Sequence, residues 1–320
     1  MKRLSFSPAI RQQLHHKVPS IVVTGAGGWL GQALLEMLDS TFGDALPAHV
    51  TVFASAPRPL TLRSGRTLTP QYFGQLEHVR TRPSLIFHFA FLTRGHAQTP
   101  NFVATNRGIS RTLRGFIERN GARGLFIPSS GAVYGPARVL ESDMDRNPYG
   151  VLKHEDELVF GALAARLGFP AAIMRIFNLG GAFINNLSGY ALACIIADVL
   201  RGTSVTLRAA QPVWRSYTHV EDVLNIATAI LLRQLALPVF DTAGEPEIEV
   251  GDLAARVGRL LTEGEVSIIR PDWQNGAANR YLGDLAAYRD AAALAGVKLQ
   301  SLDQQILDTA NYIAHVARSR

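Results

Sequence analysis

Two hydrophobic patterns alternate along this chain. Short apolar runs have the length and composition of β-strands that are buried on both faces. They occur at 20–24, 50–54, 85–90, 124–128 and 171–177. Between them, apolar residues recur at helical spacing, as they do at 29–38. The alternation predicts parallel strands joined by helices, which is an α/β fold.

Helical periodicity returns in later segments. Helices are predicted at 106–120 and 149–167, and Gly168 after the second is a typical C-terminal stop. The remainder is less regular, with short strands at 204–207 and 239–241 and with helices that begin near 220, 251 and 301. We therefore expect a second, smaller α/β unit in the C-terminal half.

Composition excludes several classes of protein. The 320 residues are 47% apolar and 18% charged, which is typical of a soluble globular chain. The apolar run at 226–232 is too short to cross a membrane. The single cysteine, Cys194, excludes an internal disulfide and fits a reducing, cytoplasmic compartment. The nine histidines do not cluster with carboxylates at ligand spacing, so we expect no metal site.

The net charge of +6 is scattered along the chain. Scattered charge favours an anionic small-molecule substrate over a nucleic acid, which would require a basic stripe. Residues 1–19 are the one locally basic stretch, and they lack the apolar core of a secretory signal. We expect them to form a basic N-terminal extension on the surface.

A glycine-rich turn follows the first predicted strand. It reads Thr24-Gly25-Ala26-Gly27-Gly28-Trp29-Leu30-Gly31, which is Gly-x-x-Gly-x-x-Gly between a strand and a helix. Gly25 permits a tight turn, Gly28 lets the backbone approach a pyrophosphate, and Gly31 lets the helix pack closely on the sheet. The helix N-terminus then offers amides to the phosphates. The turn predicts a dinucleotide site.

Tyr149 lies four residues before Lys153 in a predicted helix, so the two side chains share one face. A tyrosine ordinarily titrates near pH ~10, and a neighbouring ammonium favours its ionised form. Such a pair suits proton transfer during hydride chemistry, although the same spacing also occurs on solvated helix faces.

Four motifs occur in the order typical of one enzyme family. They are the glycine turn, Phe126-Ile127-Pro128-Ser129-Ser130-Gly131-Ala132-Val133-Tyr134-Gly135, Pro148-Tyr149-Gly150 with Lys153, and Arg215-Ser216-Tyr217-Thr218-His219-Val220-Glu221-Asp222. Over about residues 20–315 the chain resembles the extended short-chain dehydrogenase/reductases, and more narrowly their nucleotide-sugar epimerase, dehydratase and reductase group.

The resemblance implies a Rossmann-type doubly wound parallel sheet with a smaller, partly interleaved C-terminal α/β substrate domain. The dinucleotide-binding domain is expected at 20–178 with a return segment at about 215–245, and residues 179–320 are expected to form mainly the substrate domain. The family also implies a homodimer built from the helices at 106–120 and 149–167.

The resemblance assigns three catalytic residues. Ser130 would hydrogen-bond the reacting oxygen of a sugar, and Tyr149 would move the proton. Lys153 would hold the nicotinamide ribose and lower the pKa of the tyrosine. For Ser130, a hydrogen bond to local backbone at a strand end is the alternative.

The cofactor site is expected to be NAD(P), with NADP slightly favoured. No carboxylate follows the second strand to bind ribose hydroxyls, and Ser55 with Arg58 can receive a 2′-phosphate instead, unless Arg58 is simply a solvated loop residue. Asn106 is expected at the start of a helix, either near the cofactor or as an N-cap. The full set of expected contacts is Gly25, Gly28, Trp29, Leu30, Gly31, Ser55, Arg58, Gln75, Phe89, Ala90, Phe91, Asn106, Tyr149, Lys153 and Phe177.

Gly131 and Ala132 occupy the positions where sugar 4,6-dehydratases of this group carry an acid and a base. Neither can move a proton, so hydride chemistry alone is expected, at C4 of the sugar. Net 4-keto reduction is the first expectation, because the acidic residue typical of NAD binding is missing. An NAD-retaining 4-epimerase is the alternative.

The expected ligand is a nucleotide sugar, held mainly by the C-terminal half. Arg215 and Arg280 are placed where the family directs arginines at a diphosphate, and guanidinium groups suit phosphate. Either can instead be a surface charge. The full substrate set is Thr93, Ser130, Asn178, Arg215 and Arg280. A non-catalytic redox sensor and a nucleic-acid-binding relative are remote alternatives.

Overall fold

The computed structural model describes residues 2–18, 20–274 and 276–318. Its helices are α1 (Pro8–Lys17), α2 (Trp29–Phe42), α3 (Leu46–His49), α4 (Phe102–Asn120), α5 (Pro148–Leu167), α6 (Ala191–Leu200), α7 (Val220–Leu232), α8 (Val250–Leu261), α9 (Leu285–Ala295) and α10 (Leu302–Arg318). Its strands are β1 (Ile21–Thr24), β2 (Val50–Ala54), β3 (Leu60–Thr61), β4 (Thr67–Leu68), β5 (Gln71–Tyr72), β6 (Ser84–His88), β7 (Ala122–Ser130), β8 (Ala171–Ile176), β9 (Leu179–Gly180), β10 (Val205–Thr206), β11 (Val213–Arg215), β12 (Thr218–His219), β13 (Phe240–Asp241), β14 (Ile248–Glu249), β15 (Ile268–Ile269) and β16 (Asn279–Tyr281).

Seven parallel strands form the central sheet in the order β13-β8-β7-β6-β1-β2-β5. Ile21 of β1 pairs with Val50 on one side and with Leu85 on the other. The chain moves outward from β1 in one direction, then returns to β6 and moves outward in the other. Ligands of such sheets bind at this switch point, beyond the carboxyl ends of the strands. The expected Rossmann-type, doubly wound fold is confirmed.

Both faces of the sheet are covered, as parallel strands require. On one face, α4 and α5 bury Phe116 and Phe160 completely. On the other face, α2 and α7 pack on the strands and on each other. All thirteen residues of α7 are buried, because this helix lies between the sheet and the elements α1 and α9. A helix enclosed in this way needs apolar residues on every side.

The later strands form smaller sheets beside the central one. β11 pairs with β14 and β16, β10 pairs with β15, and β12 pairs with β9. Helices α6, α8 and α10 pack together next to them. The segment predicted to return at about 215–245 contains α7 and β13, and β13 is the edge strand beside β8. The division into two domains stays a prediction.

One side of the N-terminal segment packs into the core, so the expectation of a simple surface extension is wrong for residues 2–18. Its apolar side chains become buried because α1 packs on α7, and the buried residues are Leu4, Phe6, Ile10, Leu14 and Val18. The sequence shows no clear apolar stripe here, because these five residues are separated by basic and polar ones.

Carboxylates and an amide of the core bind this segment through its backbone. Leu4 N–H donates to Glu36 (3.0 Å), Ser5 N–H to Glu221 (2.7 Å) and Ser7 N–H to Asn225 (2.9 Å). Arg3 pairs with Asp39 at 2.5 Å, and Lys2 lies 3.7 Å from Glu221. Part of the local positive charge therefore neutralises buried carboxylates of α2 and α7.

Predicted boundaries agree closely with those of the structure for β1, β2, β8 and α5. The largest difference is α4, which begins at Phe102 and not near Asn106. Asn101 before it has a left-handed backbone (φ 67°), a start that apolar spacing does not reveal. Within residues 2–18, 20–274 and 276–318, no helix combines the length and apolarity needed to cross a bilayer.

Candidate active site

The glycine turn between β1 and α2 forms a close-fitting cradle. Gly25 has φ +68°, and a Cβ there would lie 2.5 Å from the backbone N of Ala90. A Cβ on Gly31 would lie 2.5 Å from the carbonyl oxygen of Gly25. The first amides of α2 receive no side-chain cap, because its N-cap is Gly28. These features fit a dinucleotide pyrophosphate, which needs close backbone and free amides.

Trp29 and Leu30 are expected to contact the cofactor, and both also pack against other parts of the protein. The indole Nε1 of Trp29 donates to the carbonyl of Ala182 at 2.7 Å, and Tyr190 lies edge-on at 5.3 Å. Leu30 is half-buried against the core. Trp29 thereby ties the turn to the loop after β9.

The end of β6 lies against the same turn. The Oγ1 of Thr24 and the Nδ1 of His88 are 2.7 Å apart, and Ala90 N–H donates to that hydroxyl at 3.4 Å. Burial lowers the pKa of His88 to about 3, so its ring is neutral. Ala90 and the neighbouring Phe89 and Phe91 are therefore held beside the cradle, where contacts to a dinucleotide were expected.

Ser130 and Lys153 are anchored at one strand end. Ser130 is the last residue of β7, and its Oγ accepts from the backbone N–H of Ala132 at 3.1 Å. Lys153 is buried on α5, and its Nζ donates to the carbonyl of Pro128 at 2.9 Å. Pro128 lies two residues before Ser130 on the same strand. The sequence motifs are thus brought together at the carboxyl end of β7.

Tyr149 enters the site from the first turn of α5. The Phe91 ring lies edge-on to Tyr149, with centroids 5.7 Å apart, and it lies 3.8 Å from the Nζ of Lys153. One aromatic ring therefore contacts both members of the tyrosine–lysine pair.

Two residues place Tyr149, and one of them, Asn147, was not identified from the sequence. The Oδ1 of Asn147 accepts from the backbone N–H of Gly150 at 3.0 Å, and its Nδ2 donates to the carbonyl of Ala132 at 2.7 Å. A Cβ on Gly150 would overlap that same carbonyl. Asparagine followed by proline is a known signal for a helix start, and here it fixes α5 against the turn after Ser130.

Burial dominates the electrostatics around Lys153. It lowers the pKa of the lysine to about 8, and the nearby carboxylates of Asp156 and Glu157 oppose that shift. Glu157 is itself bound by Arg175 and by the hydroxyl of Ser129. Because this pKa is close to neutral pH, a small change in the surroundings of Lys153 changes the fraction of the side chain that is charged.

An aromatic ring fills the space beside Gly131. A Cβ on Gly131 would lie 2.6 Å from atoms of the Phe177 ring. Tyr281 lies next, 4.6 Å from Phe177, and the Arg215 guanidinium lies 5.8 Å from the Tyr281 ring. Asn178 donates to the carbonyl of Ser216 at 2.9 Å. Phe177, Asn178 and Arg215 thus line one wall, on the C-terminal side.

The two arginines expected to bind phosphate differ in their partners. Arg215 donates to neutral oxygens, including the Oδ1 of Asn279 at 2.8 Å, and burial lowers its pKa. Arg280 is half-exposed and pairs with Glu247 at 2.5 Å. An arginine without a carboxylate keeps its charge for an anionic ligand. Thr93 is exposed on the loop after β6.

The residues expected to contact the adenosine lie in the segments that follow β2 and β5. Ser55 and Arg58 are exposed on the loop after β2. The Oε1 of Gln75 accepts from the backbone N–H of Tyr72 at 3.2 Å. Asn106 is not an N-cap, since α4 starts four residues earlier, and its side chain binds both backbone groups of Leu92.

The fold and these motifs can be compared with known proteins. A family model described as the NAD dependent epimerase/dehydratase family matches residues 21–239, which is more than half of the chain. The chain belongs to this family. The resemblance inferred from the four motifs is confirmed.

Among curated relatives of this family member, the UDP-glucose 4-epimerase of Mycoplasma genitalium is 26% identical over 208 residues, covering 55% of this chain and 61% of the relative. Among solved structures, a UDP-N-acetylglucosamine 4-epimerase from Methanobrevibacter ruminantium in complex with UDP-N-acetylmuramic acid has a TM-score of 0.72 and 19% identity, covering 94% of this chain and 99% of that one. A UDP-glucose 4-epimerase from Thermotoga maritima with UDP-glucose has a TM-score of 0.71 and 18% identity, covering 93% and 99%.

The solved structures share the fold of this family member. The chain spans about half to three-fifths of the length of the curated relatives that it matches. Within the part of the chain that the structure describes, no group of three His, Cys, Asp or Glu side chains could hold a metal ion.

Proposed function

We propose that this protein is a nucleotide-sugar 4-epimerase that retains its NAD. Net 4-keto reduction was the first expectation from the sequence, and the curated relatives, which are UDP-glucose 4-epimerases, favour the alternative. The observation that carries the proposal is the convergence of Ser130, Tyr149 and Lys153 beside the glycine cradle, with no proton-transferring side chain at Gly131.

Three residues of the chain would have separate roles in the reaction at C4 of the sugar. Tyr149 takes the proton of the 4-hydroxyl and returns it, while Ser130 donates a hydrogen bond to the same oxygen. The ammonium of Lys153 favours the ionised tyrosine. When bound, NAD supplies a reversible acceptor for the hydride of C4. The half-buried Phe177 ring would limit the access of water to the reacting carbon.

The Phe177 ring would restrict the reaction to C4 chemistry. Elimination of water from the sugar needs an additional acid or base. Phe177 occupies the space into which a side chain at position 131 would extend. The same ring would give the sugar an apolar surface, and Asn178 and Arg215 would direct the nucleotide part. Arg280, which is already paired with Glu247, would contribute less.

Cofactor preference remains part of the proposal. The family is NAD-dependent by description, and the expectation of NADP receives no support from the comparisons. We therefore propose NAD. The exposed Arg58 on the loop after β2 favours a second candidate, a reductase that uses exchangeable NADPH.

We also propose that the family member forms a homodimer through α4 and α5. Leu158 and Val159 on α5 expose apolar surface, with relative accessibilities of 62% and 37%. Burying such residues between two copies stabilises a dimer. Light scattering of the wild type and of Leu158→Lys tests this, and a monomeric wild type would contradict it.

The purified protein distinguishes the epimerase from the reductase. Epimerisation predicts nicotinamide that survives dialysis, and interconversion of UDP-glucose and UDP-galactose without added cofactor, followed by chromatography. Tyr149→Phe should lower turnover by at least ~10² with the fold intact by circular dichroism. Consumption of added NADPH with a 4-keto sugar nucleotide would instead favour the reductase. Normal turnover by Tyr149→Phe would refute the site itself.

A further inference from the structure

The ammonium of Lys153 has two kinds of neighbour in this structure. On one side it donates to the carbonyl of Pro128 at 2.9 Å. On another it lies over the Phe91 ring, 3.8 Å from the centroid. A cation over an aromatic face is attracted by the quadrupole of the ring, and more strongly when the pair is shielded from water. Lys153 is 7% exposed, so the pair is shielded.

Phe91 also borders a cavity that Lys153 does not reach. The cavity has a volume of about 200 Å³ and lies between α4 and α5. Its polar lining includes Arg107, Glu155 and Asp156, and Lys153 is not part of it. Arg107 pairs with Glu155, and Ser110 donates to Asp156. The Phe91 ring contacts Nζ, and Phe91 is also one of the residues that line the cavity, so it lies between a buried ammonium and a space with room for water.

We propose that Phe91 is a positioning residue that seals the Lys153 ammonium from the α4–α5 cavity and holds it, together with the Tyr149 ring, in the arrangement required for proton transfer. The inference deepens the proposed function and rests on the role of Lys153 in it. Phe91 touches both members of the pair and supplies no proton itself. Its effect would therefore pass through Lys153.

The charge of Lys153 responds to groups on every side. Asp156 and Glu157 on α5 favour the ammonium, while burial disfavours it and His88 on β6 is neutral. Two substitutions separate the contributions of Phe91. Phe91→Leu keeps apolar volume and removes the aromatic face. Phe91→Ala removes the seal and admits water from the cavity.

The test measures the acetylation rate of Lys153 by peptide mass spectrometry between pH 6 and 10. The chain has four lysines, and the exposed Lys298 serves as an internal reference. The plateau of the rate at high pH reports access to Nζ, and the midpoint reports its pKa. Phe91→Ala should raise the plateau by about tenfold, and Phe91→Leu should lower the midpoint by about 0.5 to 1 without raising the plateau. Phe91→Tyr should match the wild type.

Kinetics complete the test. In Phe91→Leu the pH dependence of kcat should shift with the acetylation midpoint, while KM for the sugar nucleotide stays within about twofold. Wild-type plateaus and midpoints in both Phe91→Leu and Phe91→Ala would overturn the inference. Because acetylation needs neither substrate nor turnover, a protein without epimerase activity but with the expected labelling pattern would refute the proposed function and leave the sealing role standing.

Discussion

Replacing Gly25 by alanine tests the cradle on which the cofactor site depends. The substitution adds one methyl group at a residue with φ +68°, where a Cβ would lie 2.5 Å from the backbone N of Ala90. Ordinary contacts of a Cβ begin near 3.4 Å. The neighbouring atoms are backbone at the end of β6, so they cannot move aside as a flexible side chain would.

The loss of stability expected for Gly25→Ala has two causes, and substitutions at other glycines of the chain measure them separately. A left-handed backbone costs a non-glycine residue about 1–2 kcal/mol, and overpacking in a well-packed region costs about 1–3 kcal/mol more. Gly168 has φ +73° and nothing within 4 Å of its Cβ position, so Gly168→Ala isolates the first cause. Gly27 has open space and no positive φ, so Gly27→Ala should change stability by less than about 0.5 kcal/mol.

Urea unfolding followed by circular dichroism measures all three variants. We expect the free energy of unfolding to fall by about 3 kcal/mol or more in Gly25→Ala and by about 1–2 kcal/mol in Gly168→Ala. A folded Gly25→Ala should also purify without the NAD that we expect the wild type to retain. Equal losses in Gly25→Ala and Gly168→Ala would mean that the backbone at Ala90 yields to the methyl group. These glycines would then not form a close-fitting cradle.

Three further predictions follow from side chains around the site. Burial raises the pKa of Asp222 to about 6, so the folded chain binds this proton more readily than the unfolded chain. Its contribution should make the free energy of unfolding fall as pH rises from about 4 to about 6, and urea titrations across that range should show this slope lost in Asp222→Asn. Gly131→Ala should lower Tm because the added methyl group meets the Phe177 ring. In a double-mutant cycle, Phe177→Ala should remove this loss of stability, and additive losses would contradict the expected contact. Calorimetry with UDP should show Arg215→Ala weakening binding by about tenfold or more and Arg280→Ala by less than about threefold, because only Arg280 has a carboxylate partner; equal losses would reject this distinction.

Much of the fold was predictable because its strands carry continuous apolar runs. Burial on both faces of a parallel sheet makes such runs visible in the sequence, and β2 was located without error at Val50–Ala54. The motifs around Gly25, Ser130 and Tyr149 were predictable as well, because residues of one local segment stay close together in the fold. These parts of the site needed no knowledge of distant contacts.

The remaining parts depend on contacts between distant segments. Arg215 and Arg280 look alike in the sequence, and only the pairing of Arg280 with Glu247 distinguishes them. The contact of Phe91 with Lys153 joins residues that lie 62 positions apart in the numbering. For α1, apolar residues are buried by α7, more than two hundred residues away. No local pattern contains such information.

The packing of the N-terminal segment on α7 determines when during synthesis this segment can fold. The partners of Ser5 and Ser7 lie 216 and 218 residues further along the chain. At ribosomal rates of about 5–20 residues per second, those partners emerge roughly 10–40 s later. During that interval Phe6 and Leu14 cannot bury against α7, and a chaperone has access to them. Residues 4–18 therefore reach their final positions only after α7 has been synthesised.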